Sequence, residues 1–384
     1  MYGIGLGENM APKKPVGRKP KPILIIGVDC GSLSAGPQKF KGGIFSVAYN
    51  LLTELAHLDK RNRYIFYSFA PLDKQLLLRF KGRAQNKVLS PALGFLRLRL
   101  PIQLQLDKPD VFLALSQAMP PLAPPTLGLV YDLAFLKYPE LYQQPQKLRK
   151  NTESLIQNAR HIITVSQASK MDLQKFYQLE DERISVCSPG VDNNFSTKGP
   201  RYIGTKPYFL YVGHLKPIKN IPRLLHAFAA FLAKTSKKYQ LVLVGSNAQI
   251  DQGIPKTIEQ LNLQKAVIQK GYVSQSDLPK YYRGAVGFIS PALYEGFGLP
   301  LLEAMACGCP VIAGNNSSQS EIIGNAGILV DAENTQQISD ALSILAENET
   351  LRRRYSKKAI RQSRLFSWHR FARTLLDRMH DCYT

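Results

Sequence analysis

Short apolar runs alternate with amphipathic segments along most of the chain, and this alternation limits what the chain can fold into. In the first half these runs are continuous, which is typical of parallel strands that helices cover on both faces. Six runs precede residue 191: 22–29, 63–70, 110–116, 125–132, 161–166 and 184–190. Helical spacing predicts helices between them: 42–58, 144–159 and 167–178.

The pattern stops at a polar stretch and then starts again. Residues 191–207 contain glycine and proline among polar residues, which predicts a linker. Helical spacing covers 220–237, with Asn220 as the expected N-cap and Pro222 in the first turn, and it covers 335–381 throughout. Two successive series of strands and helices predict an α/β chain of two doubly wound domains that face each other across a cleft. Six further strands are predicted: 208–213, 239–246, 266–273, 286–292, 310–314 and 327–331.

The net charge of the chain is strongly positive. Fifty lysines and arginines against 28 acidic residues give a formal charge of +22. Eleven of these cations lie in 60–108 with two acids, and nine lie in 351–373 with none. Three interpretations remain open: a solvated basic surface, a surface for an anionic membrane, or one for nucleic acid. The chain has no recognition-helix, RNP-like or zinc-finger motif, so we expect no specific nucleic-acid partner.

Cysteine content and hydropathy give expectations about metal and membrane. The five cysteines form no CxxC pair, so we expect no metal site, and their small number is typical of a reducing cytosol. No run approaches eighteen apolar residues, so we expect no membrane span. The first twenty residues lack an apolar core behind their charges, which argues against a secretory signal. These patterns indicate a cytoplasmic protein, with peripheral binding to the inner face of the membrane as a hypothesis.

The stretch LYEGFGLPLLEAMACG, which begins at Leu293, is typical of an anion site. Gly298 and the glycine two residues before it allow a tight turn after a strand, and a proline follows at an early helical position. The N–H groups of Phe297, Gly298 and Leu299 should therefore lie unpaired at a helix N-terminus. Such donors attract an anion, most naturally a phosphate.

Two carboxylates flank this turn. Glu303 lies about one turn into the predicted helix, where a carboxylate can accept hydrogen bonds from both hydroxyls of a ribose. Glu295 comes just before the turn, so it should reach the other side of the phosphates. An acid near a helix N-terminus can also simply complement the helix dipole, which is the alternative for either residue alone.

A basic loop should complete the site. YVGHLKPIKN, which follows the first strand of the second half, contains His214, Lys216 and Lys219. A lysine there could neutralise a leaving diphosphate and so supply the charge that a metal ion otherwise provides. Alternatively, Lys219 merely occupies a helix start, although the helix dipole disfavours a cation at that position.

Together these segments resemble glycosyltransferase family 4. YEGFGLPLLEAMACGCPVIAG (294–314) is similar to its E-x7-E signature, and YVGHLKPIKNIPRLLHAF (211–228) to the first motif of its C-terminal domain. The resemblance implies the GT-B fold and retaining transfer from a nucleotide-diphosphate sugar without an obligatory metal or other cofactor. Four further stretches resemble the family: GGIFSVAYNLL (42–52), HIITVSQASKMDL (161–173), ISVCSPGVDNNF (184–195) and FSWHRFARTLL (366–376).

The family also implies an order of domains. The chain would begin with a flexible basic tail, continue with an acceptor-binding and then a nucleotide-sugar-binding Rossmann-like domain, and end in a helix that packs back on the first domain. The corresponding boundaries are 1–21, 22–195, 205–360 and 361–384.

The resemblance further implies the roles of individual residues. Three residues would be catalytic: Glu295, which would contact the donor sugar, Lys219, which would hold the diphosphate, and Asp132, which matches a family position near the site. Glu303 would bind the ribose of the nucleotide. Further donor-binding positions are Phe297, Gly298, Leu299, His214, Gly42, Gly43 and Tyr131.

Two of these positions depart from the family pattern. His214 stands where many members have an arginine, which weakens one charge contact or makes it sensitive to pH. Tyr131 stands where members have a histidine near the donor sugar; tyrosine can donate a hydrogen bond but is uncharged at neutral pH. Altered donor choice or lost activity would each fit these departures.

The acceptor is specified less well, and a glycan or a lipid-linked sugar fits the family. The stretch GFLRLRLPIQLQL (94–106) alternates leucine and arginine, which predicts a strand or an edge hairpin, with a short helix after Pro101. Its charge and amphipathic character suggest peripheral binding to an anionic membrane surface with a lipid-linked acceptor. The competing hypotheses are a nucleic-acid-binding Rossmann-like protein and a non-catalytic homologue of the glycosyltransferases.

Overall fold

The computed structural model describes residues 21–34, 42–245 and 251–384, so most of the predicted basic tail lies outside the described residues. The first half forms one sheet in which every described strand pair is parallel. The strands are β1 (Ile25–Asp29), β2 (Arg63–Ser68), β3 (Ala84–Val88), β4 (Val111–Ala114), β5 (Thr126–Val130), β6 (His161–Thr164) and β7 (Ile184–Val186). Their order is β3-β2-β1-β4-β5-β6-β7, which is that of a doubly wound sheet. Successive strands are added on one side of β1 up to β3 and on its other side from β4 onward, and all of them remain parallel.

Helices cover both faces of this first sheet. On one face α2 buries Val47, Leu51 and Leu55 in a cluster that contains the apolar side chains of β1. On the other face Leu100 and Leu104 pack in a separate buried cluster. The helices are α1 (Gly31–Ser34), α2 (Gly43–Leu58), α3 (Lys74–Arg79), α4 (Leu100–Asp107), α5 (Ala134–Lys137), α6 (Pro145–Asn158) and α7 (Gln167–Tyr177).

The second half forms a parallel sheet of six strands in the order β10-β9-β8-β11-β12-β13. These strands are β8 (Tyr208–Val212), β9 (Gln240–Val244), β10 (Val267–Gly271), β11 (Gly287–Ser290), β12 (Val311–Gly314) and β13 (Ile328–Val330). The prediction of two doubly wound sheets is confirmed, and residues 191–207 contain no helix or strand between them. The helices are α8 (Ile221–Lys234), α9 (Gly253–Gln260), α10 (Leu278–Gly284), α11 (Leu299–Ala306), α12 (Ser317–Ile323), α13 (Thr335–Glu347), α14 (Glu349–Ser363) and α15 (Trp368–Tyr383).

The last helix returns to the first half of the chain. On α15, the Nδ1 atom of His369 lies 3.1 Å from Oε1 of Glu54, which is on α2. The indole N–H of Trp368 donates to Asp192 at 3.1 Å. These contacts place the C-terminus of the chain against the first sheet's helical layer.

The predicted strand at 94–106 is wrong. Residues Phe95–Arg99 form a π-helix that continues directly into α4. The alternation of leucine and arginine also contains apolar residues at a four-residue spacing. Leu100 and Leu104 have this spacing and are buried on one side of a helix. The short helix expected after Pro101 is present, but it starts one residue earlier, at Leu100.

Two other details differ from the sequence-based expectations. The strand β3 was not predicted, because its sequence AQNKV is polar and it lies at the edge of the sheet. Asn220 does occupy the N-cap position of α8, but its side chain does not cap the helix. Its amide instead donates to the carbonyls of Pro291, at 3.0 Å, and Ala332, at 2.7 Å. Asn220 thus ties the loop after β8 to the loops after β11 and β13.

Candidate active site

The carboxyl ends of the two sheets meet closely at two glycines. A Cβ atom on Gly296 would lie 2.4 Å from the carbonyl oxygen of Tyr131, which follows β5 in the other sheet. A Cβ atom on Gly42, at the start of α2, would lie 3.0 Å from Nε2 of His214. Only glycine permits the first approach, because any side chain at position 296 would overlap the opposing backbone. The loops that carry the predicted site residues therefore face one another.

An ion pair lies at the centre of this convergence. Nζ of Lys219, at the end of a 3₁₀-helix after β8, lies 2.6 Å from Oε1 of Glu295, in the loop after β11. Both side chains are mostly buried, with exposed fractions of 19% and 18%. The pair joins two loops that are 76 positions apart in sequence. The two residues predicted to hold the diphosphate and the sugar are thus brought together.

Asp132 approaches this pair from the first sheet. Burial raises the pKa of Asp132, while the hydrogen bond from the N–H of Ala134, at 3.0 Å, and the ammonium of Lys219 lower it. The neighbouring carboxylate of Glu295 raises the pKa of Asp132 as well. The three residues predicted to be catalytic therefore form one electrostatic cluster that spans the two sheets.

The glycine-rich turn forms the predicted anion site. Gly298 is the N-cap of α11 with φ of 99°, a left-handed conformation that favours glycine, and a proline stands in the first turn of the helix. The N–H groups of Phe297, Gly298 and Leu299 have no hydrogen-bond acceptor among the described residues. The helix dipole and these free donors together favour an anion at this position.

Two serines that the sequence analysis missed hold the turn from behind. The hydroxyl of Ser318 lies 2.8 Å from the carbonyl oxygens of both Glu295 and Phe297. The hydroxyl of Ser317 accepts a hydrogen bond from the N–H of Glu295 at 3.0 Å. Both serines begin α12, which follows the polar stretch after β12. A run of serine and asparagine directly after a buried strand was the available signal.

Glu303 lies one turn into α11 and is largely enclosed. Its Oε2 accepts a hydrogen bond of 2.9 Å from the hydroxyl of Tyr282, a residue that the sequence analysis did not identify. Burial raises the pKa of Glu303 to about 7, and the charge of Asp192 adds to this rise, while the Tyr282 hydrogen bond lowers it. The carboxyl group of Glu303 therefore changes its protonation near neutral pH. A hydroxyl group that donates to it, such as one of a ribose, would favour the deprotonated form.

His214 supplies a neutral ring to the site. Burial lowers the pKa of His214, and the charges of Lys216 and Lys219 lower it further. The imidazole is therefore uncharged at neutral pH and can offer hydrogen bonds but little electrostatic attraction. It stands opposite Gly42, as the close approach described above shows. In contrast, a Cβ atom on Gly43 would meet no atom of the described residues within 4 Å.

The side chain of Tyr131 is turned toward the end of the neighbouring strand β4. Its hydroxyl donates to the carbonyl of Leu115 at 2.9 Å, and the side chain is buried. Burial and the nearby carboxylate of Asp29 raise the pKa of Tyr131. The phenolic proton is thus committed to the backbone, which leaves only the oxygen to accept a hydrogen bond from a sugar.

A second set of contacts joins the halves beside the site. The carboxylate of Glu321, on α12, accepts hydrogen bonds from the N–H groups of Gln167, at 2.9 Å, and Ala168, at 2.6 Å, at the start of α7. The hydroxyl of Tyr294 donates to Asp172, on α7, at 2.5 Å. Glu321 thus caps a helix of the first domain from the second, and the Tyr294 bond adds another contact between the two domains.

Comparison with known proteins finds a family that resembles the second half of the chain. The model of the family described as glycosyl transferases group 1 matches residues 194–362. Residues 194–362 are thus similar to the glycosyl transferases group 1. The match covers both halves of the candidate site on the second sheet, the loop of Lys219 and the segment of the two glutamates. This likeness agrees with the geometry found around α11.

The likeness to curated relatives extends over more residues than the family model matches. O-antigen chain mannosyltransferase B of Escherichia coli is 30% identical over 250 residues, which are 62% of this chain and 65% of that protein. The chain spans less than two thirds of the length of the curated relatives that it matches. The chain is therefore similar over this part to proteins named as mannosyltransferases of the O-antigen chain.

Solved structures confirm the GT-B fold. WaaG, a glycosyltransferase involved in lipopolysaccharide biosynthesis, matches with a TM-score of 0.74 at 15% identity, over 92% of this chain and 99% of that chain. Anabaena Alr3699/HepE in complex with UDP-glucose matches with a TM-score of 0.69 at 20% identity, over 93% of this chain and 98% of that chain. These likenesses cover both sheets and show that the two doubly wound domains are those of the GT-B fold.

Two further observations concern metal and membrane. Within residues 21–34, 42–245 and 251–384, no three histidine, cysteine, aspartate or glutamate side chains are grouped so that they could hold a metal ion. In the same part of the chain, no helix has both the length and the apolar character that crossing a bilayer requires.

Proposed function

We propose that this protein transfers a hexosyl group from a nucleotide-diphosphate sugar to a glycan or lipid-linked acceptor, with retention of configuration and without an obligatory metal. One observation carries the proposal: the ion pair of Lys219 and Glu295 lies next to the free N–H groups at the start of α11 and faces Asp132 across the cleft. A cation, a helix N-terminus and carboxylates on both sides match a sugar linked to a diphosphate.

The donor would bind along the second sheet. The diphosphate would accept hydrogen bonds from the N–H groups of Phe297, Gly298 and Leu299, while Lys219 would turn from Glu295 toward the phosphate oxygens. Glu303 would accept the ribose hydroxyls at the inner end of the site. Glu295, once released from the lysine, would accept hydrogen bonds from the hydroxyls of the donor sugar. The complex of Anabaena Alr3699/HepE with UDP-glucose supports a nucleotide sugar as the class of donor.

The proposed chemistry relies on stabilising the leaving group. The bond from the anomeric carbon to the diphosphate breaks, and the acceptor oxygen bonds to the same face of that carbon. The acceptor proton passes to a diphosphate oxygen, so no enzyme nucleophile is needed. Negative charge accumulates on the diphosphate, where Lys219 and the start of α11 would stabilise it. Removing one such donor typically raises a barrier by about 3 kcal/mol.

The test compares two lysines that each form an ion pair. Lys219→Ala should reduce turnover about a hundredfold or more, with cooperative thermal unfolding retained. Lys234→Ala is the matched control, because Lys234 pairs with Asp340 at 3.0 Å on the exposed face of α8. Sugar transfer is measured by chromatography of the product, whose anomeric configuration is then read by NMR.

The nucleotide of the donor sugar is identified before turnover is measured. A thermal-shift panel of GDP-, UDP- and ADP-sugars identifies the nucleotide, because a ligand that binds only the folded state raises the unfolding temperature. GDP-mannose is the first candidate, since O-antigen chain mannosyltransferase B is among the relatives. Near-normal turnover by Lys219→Ala, or a product with inverted configuration, would overturn the proposed mechanism.

A further inference from the structure

The continuous helix formed by Phe95–Arg99 and α4 is apolar on two opposite sides. One side packs into the protein through Phe95, Leu100 and Leu104, which are buried. The other side is formed by Leu98, Ile102 and Leu106, which follow one another at a four-residue spacing and so share one face of the helix. These three side chains are exposed to solvent by 63–71%.

Two loops that are hydrogen-bonded to the helix each carry a further exposed leucine. The guanidinium of Arg99 donates to the carbonyl of Leu93, and Nε2 of Gln105 donates to the carbonyl of Leu122 at 2.8 Å. Leu93 and Leu122 are themselves 87% and 73% exposed. We call the five side chains together the leucine face: Leu93, Leu98, Ile102, Leu106 and Leu122. A cluster of large apolar side chains on a surface typically marks a place of interaction.

The charges around the leucine face are positive. Arg97 and Lys108 are exposed on the same helix and at its end. The only acid of the helix, Asp107, is paired with Lys87 at 2.5 Å and accepts a hydrogen bond from Tyr67, so its charge is neutralised locally. Leucines flanked by cations fit an anionic lipid surface, which takes apolar side chains below its headgroups and attracts cations to them. A second copy of the chain would instead bring like charges together.

The position of the helix shows which end of the leucine face lies nearer the cleft. The ring of Phe95 would lie 3.3 Å from a Cβ atom on Gly31, just beyond the carboxyl end of β1. The N-terminal end of the leucine face, at Leu93, therefore lies by the rim of the interdomain cleft. From there the helix runs to Lys108, near Asp110, which accepts a hydrogen bond from the N–H of Ile25 at the opposite end of β1. A membrane that contacts this face would lie beside the mouth of the cleft.

We propose that the leucine face docks the first domain on an anionic membrane, with its leucines inserted and Arg97 and Lys108 at the headgroups. Docking itself does not depend on the proposed reaction. The delivery of a lipid-linked acceptor to the cleft mouth does rest on the proposed function. The two can be separated, because vesicle binding is measured without donor or acceptor.

The first test removes the apolar contacts. Wild-type protein is floated with vesicles of 30% phosphatidylglycerol in phosphatidylcholine and with vesicles of phosphatidylcholine alone. The triple variant Leu98→Gln, Ile102→Gln, Leu106→Gln should bind the anionic vesicles at least tenfold more weakly. Its folding should be unaffected, because all three side chains are exposed. A matched control changes Met171, Ile203 and Leu365 to glutamine, which are 58–89% exposed elsewhere on the surface and should leave binding unchanged.

The second test removes the charges. Arg97→Gln with Lys108→Gln should weaken binding to the anionic vesicles, by about fivefold per cation, and raising the salt should have a similar effect. Changing the exposed Lys237 and Lys238 to glutamine is the control, and binding should remain. Donor-induced thermal shifts should stay the same in all variants, which distinguishes a failed docking surface from a failed active site.

Three outcomes would overturn the proposal. The leucine variant could float with anionic vesicles as well as the wild type does. The wild type could bind phosphatidylcholine and anionic vesicles equally. Sedimentation velocity could show that the wild type is a dimer which the leucine variant breaks into monomers, with vesicle binding unchanged; a second copy would then be the occupant.

Discussion

Gly296→Ala tests whether the two halves of the site meet as the structure shows. The new methyl carbon would lie 2.4 Å from the carbonyl oxygen of Tyr131 and 2.8 Å from Cβ of Asp132. A normal carbon–oxygen contact is longer by about 0.8 Å, so the turn must retreat from the opposing domain by roughly this distance. Overpacking of this kind costs about 1–3 kcal/mol of stability.

The effect on catalysis should be larger than the effect on stability. Position 296 lies between Glu295 and the N–H groups that would bind the diphosphate, so a retreat of the turn moves both. A misplacement of about 1 Å typically costs about a hundredfold in rate. We therefore expect turnover to fall about a hundredfold, while urea unfolding shows a loss of about 1–3 kcal/mol.

The assay needs a control glycine. Gly253, the first residue of α9, is a suitable control. Among the described residues, the new methyl of Gly253→Ala would lie nearest the flexible side chain of Asp251, at 3.1 Å, and the ring of Pro222, at 3.2 Å. Its turnover should stay within threefold of the wild type. If Gly296→Ala is equally active and equally stable, the two domains do not meet at this turn, and the reasoning about the cleft is refuted.

Three further predictions follow from single side chains. Because burial raises the folded-state pKa of Glu303 from 4.5 to about 7, its protonation stabilises the fold below pH 4.5, and this contribution is lost as pH rises through about 7. Urea unfolding should accordingly show a decline of about 3 kcal/mol between pH 4.5 and 8 that Glu303→Gln abolishes; an unchanged decline would show that another group is responsible. Tyr131→Phe removes the hydrogen bond to Leu115 and should cost about 1 kcal/mol in the same assay, with turnover within threefold, whereas a large loss of turnover would give the hydroxyl a catalytic role. Glu321→Gln removes the charge that caps α7 and should lower turnover about fivefold with donor affinity unchanged, as measured by calorimetry; lost donor affinity would contradict a role confined to the domain contact.

Much of the fold follows from local sequence patterns. The buried strands of both sheets are continuous apolar runs, so their positions and the restart after 191–207 could be predicted from the sequence. The two failures have different causes. The helix at Phe95–Asp107 is apolar on both its buried and its exposed side. Its apolar residues therefore fall at every second position, which is the pattern of a strand. The polar edge strand β3 has too little apolar character to be recognised.

The candidate site likewise contains residues that could be predicted from the sequence and others that could not. Glu295, Glu303 and Lys219 lie in motifs of characteristic spacing, so they could be named from the sequence. Tyr282 could not, because its hydrogen bond to Glu303 spans 21 positions between two helices and has no local signature. The bonds from Glu321 to the start of α7 span more than 150 positions and depend on how the two domains meet. Such contacts arise from tertiary packing, which a single sequence does not specify.

Calorimetric titration of a nucleoside and its diphosphate tests the central claim most directly. The wild type and Lys219→Ala are each titrated with guanosine and GDP, or with the pair that the thermal-shift panel selects. If the diphosphate binds at the start of α11 beside Lys219, the variant should lose at least tenfold in affinity for the diphosphate and almost nothing for the nucleoside. Equal affinity of the two proteins for the diphosphate would contradict the account.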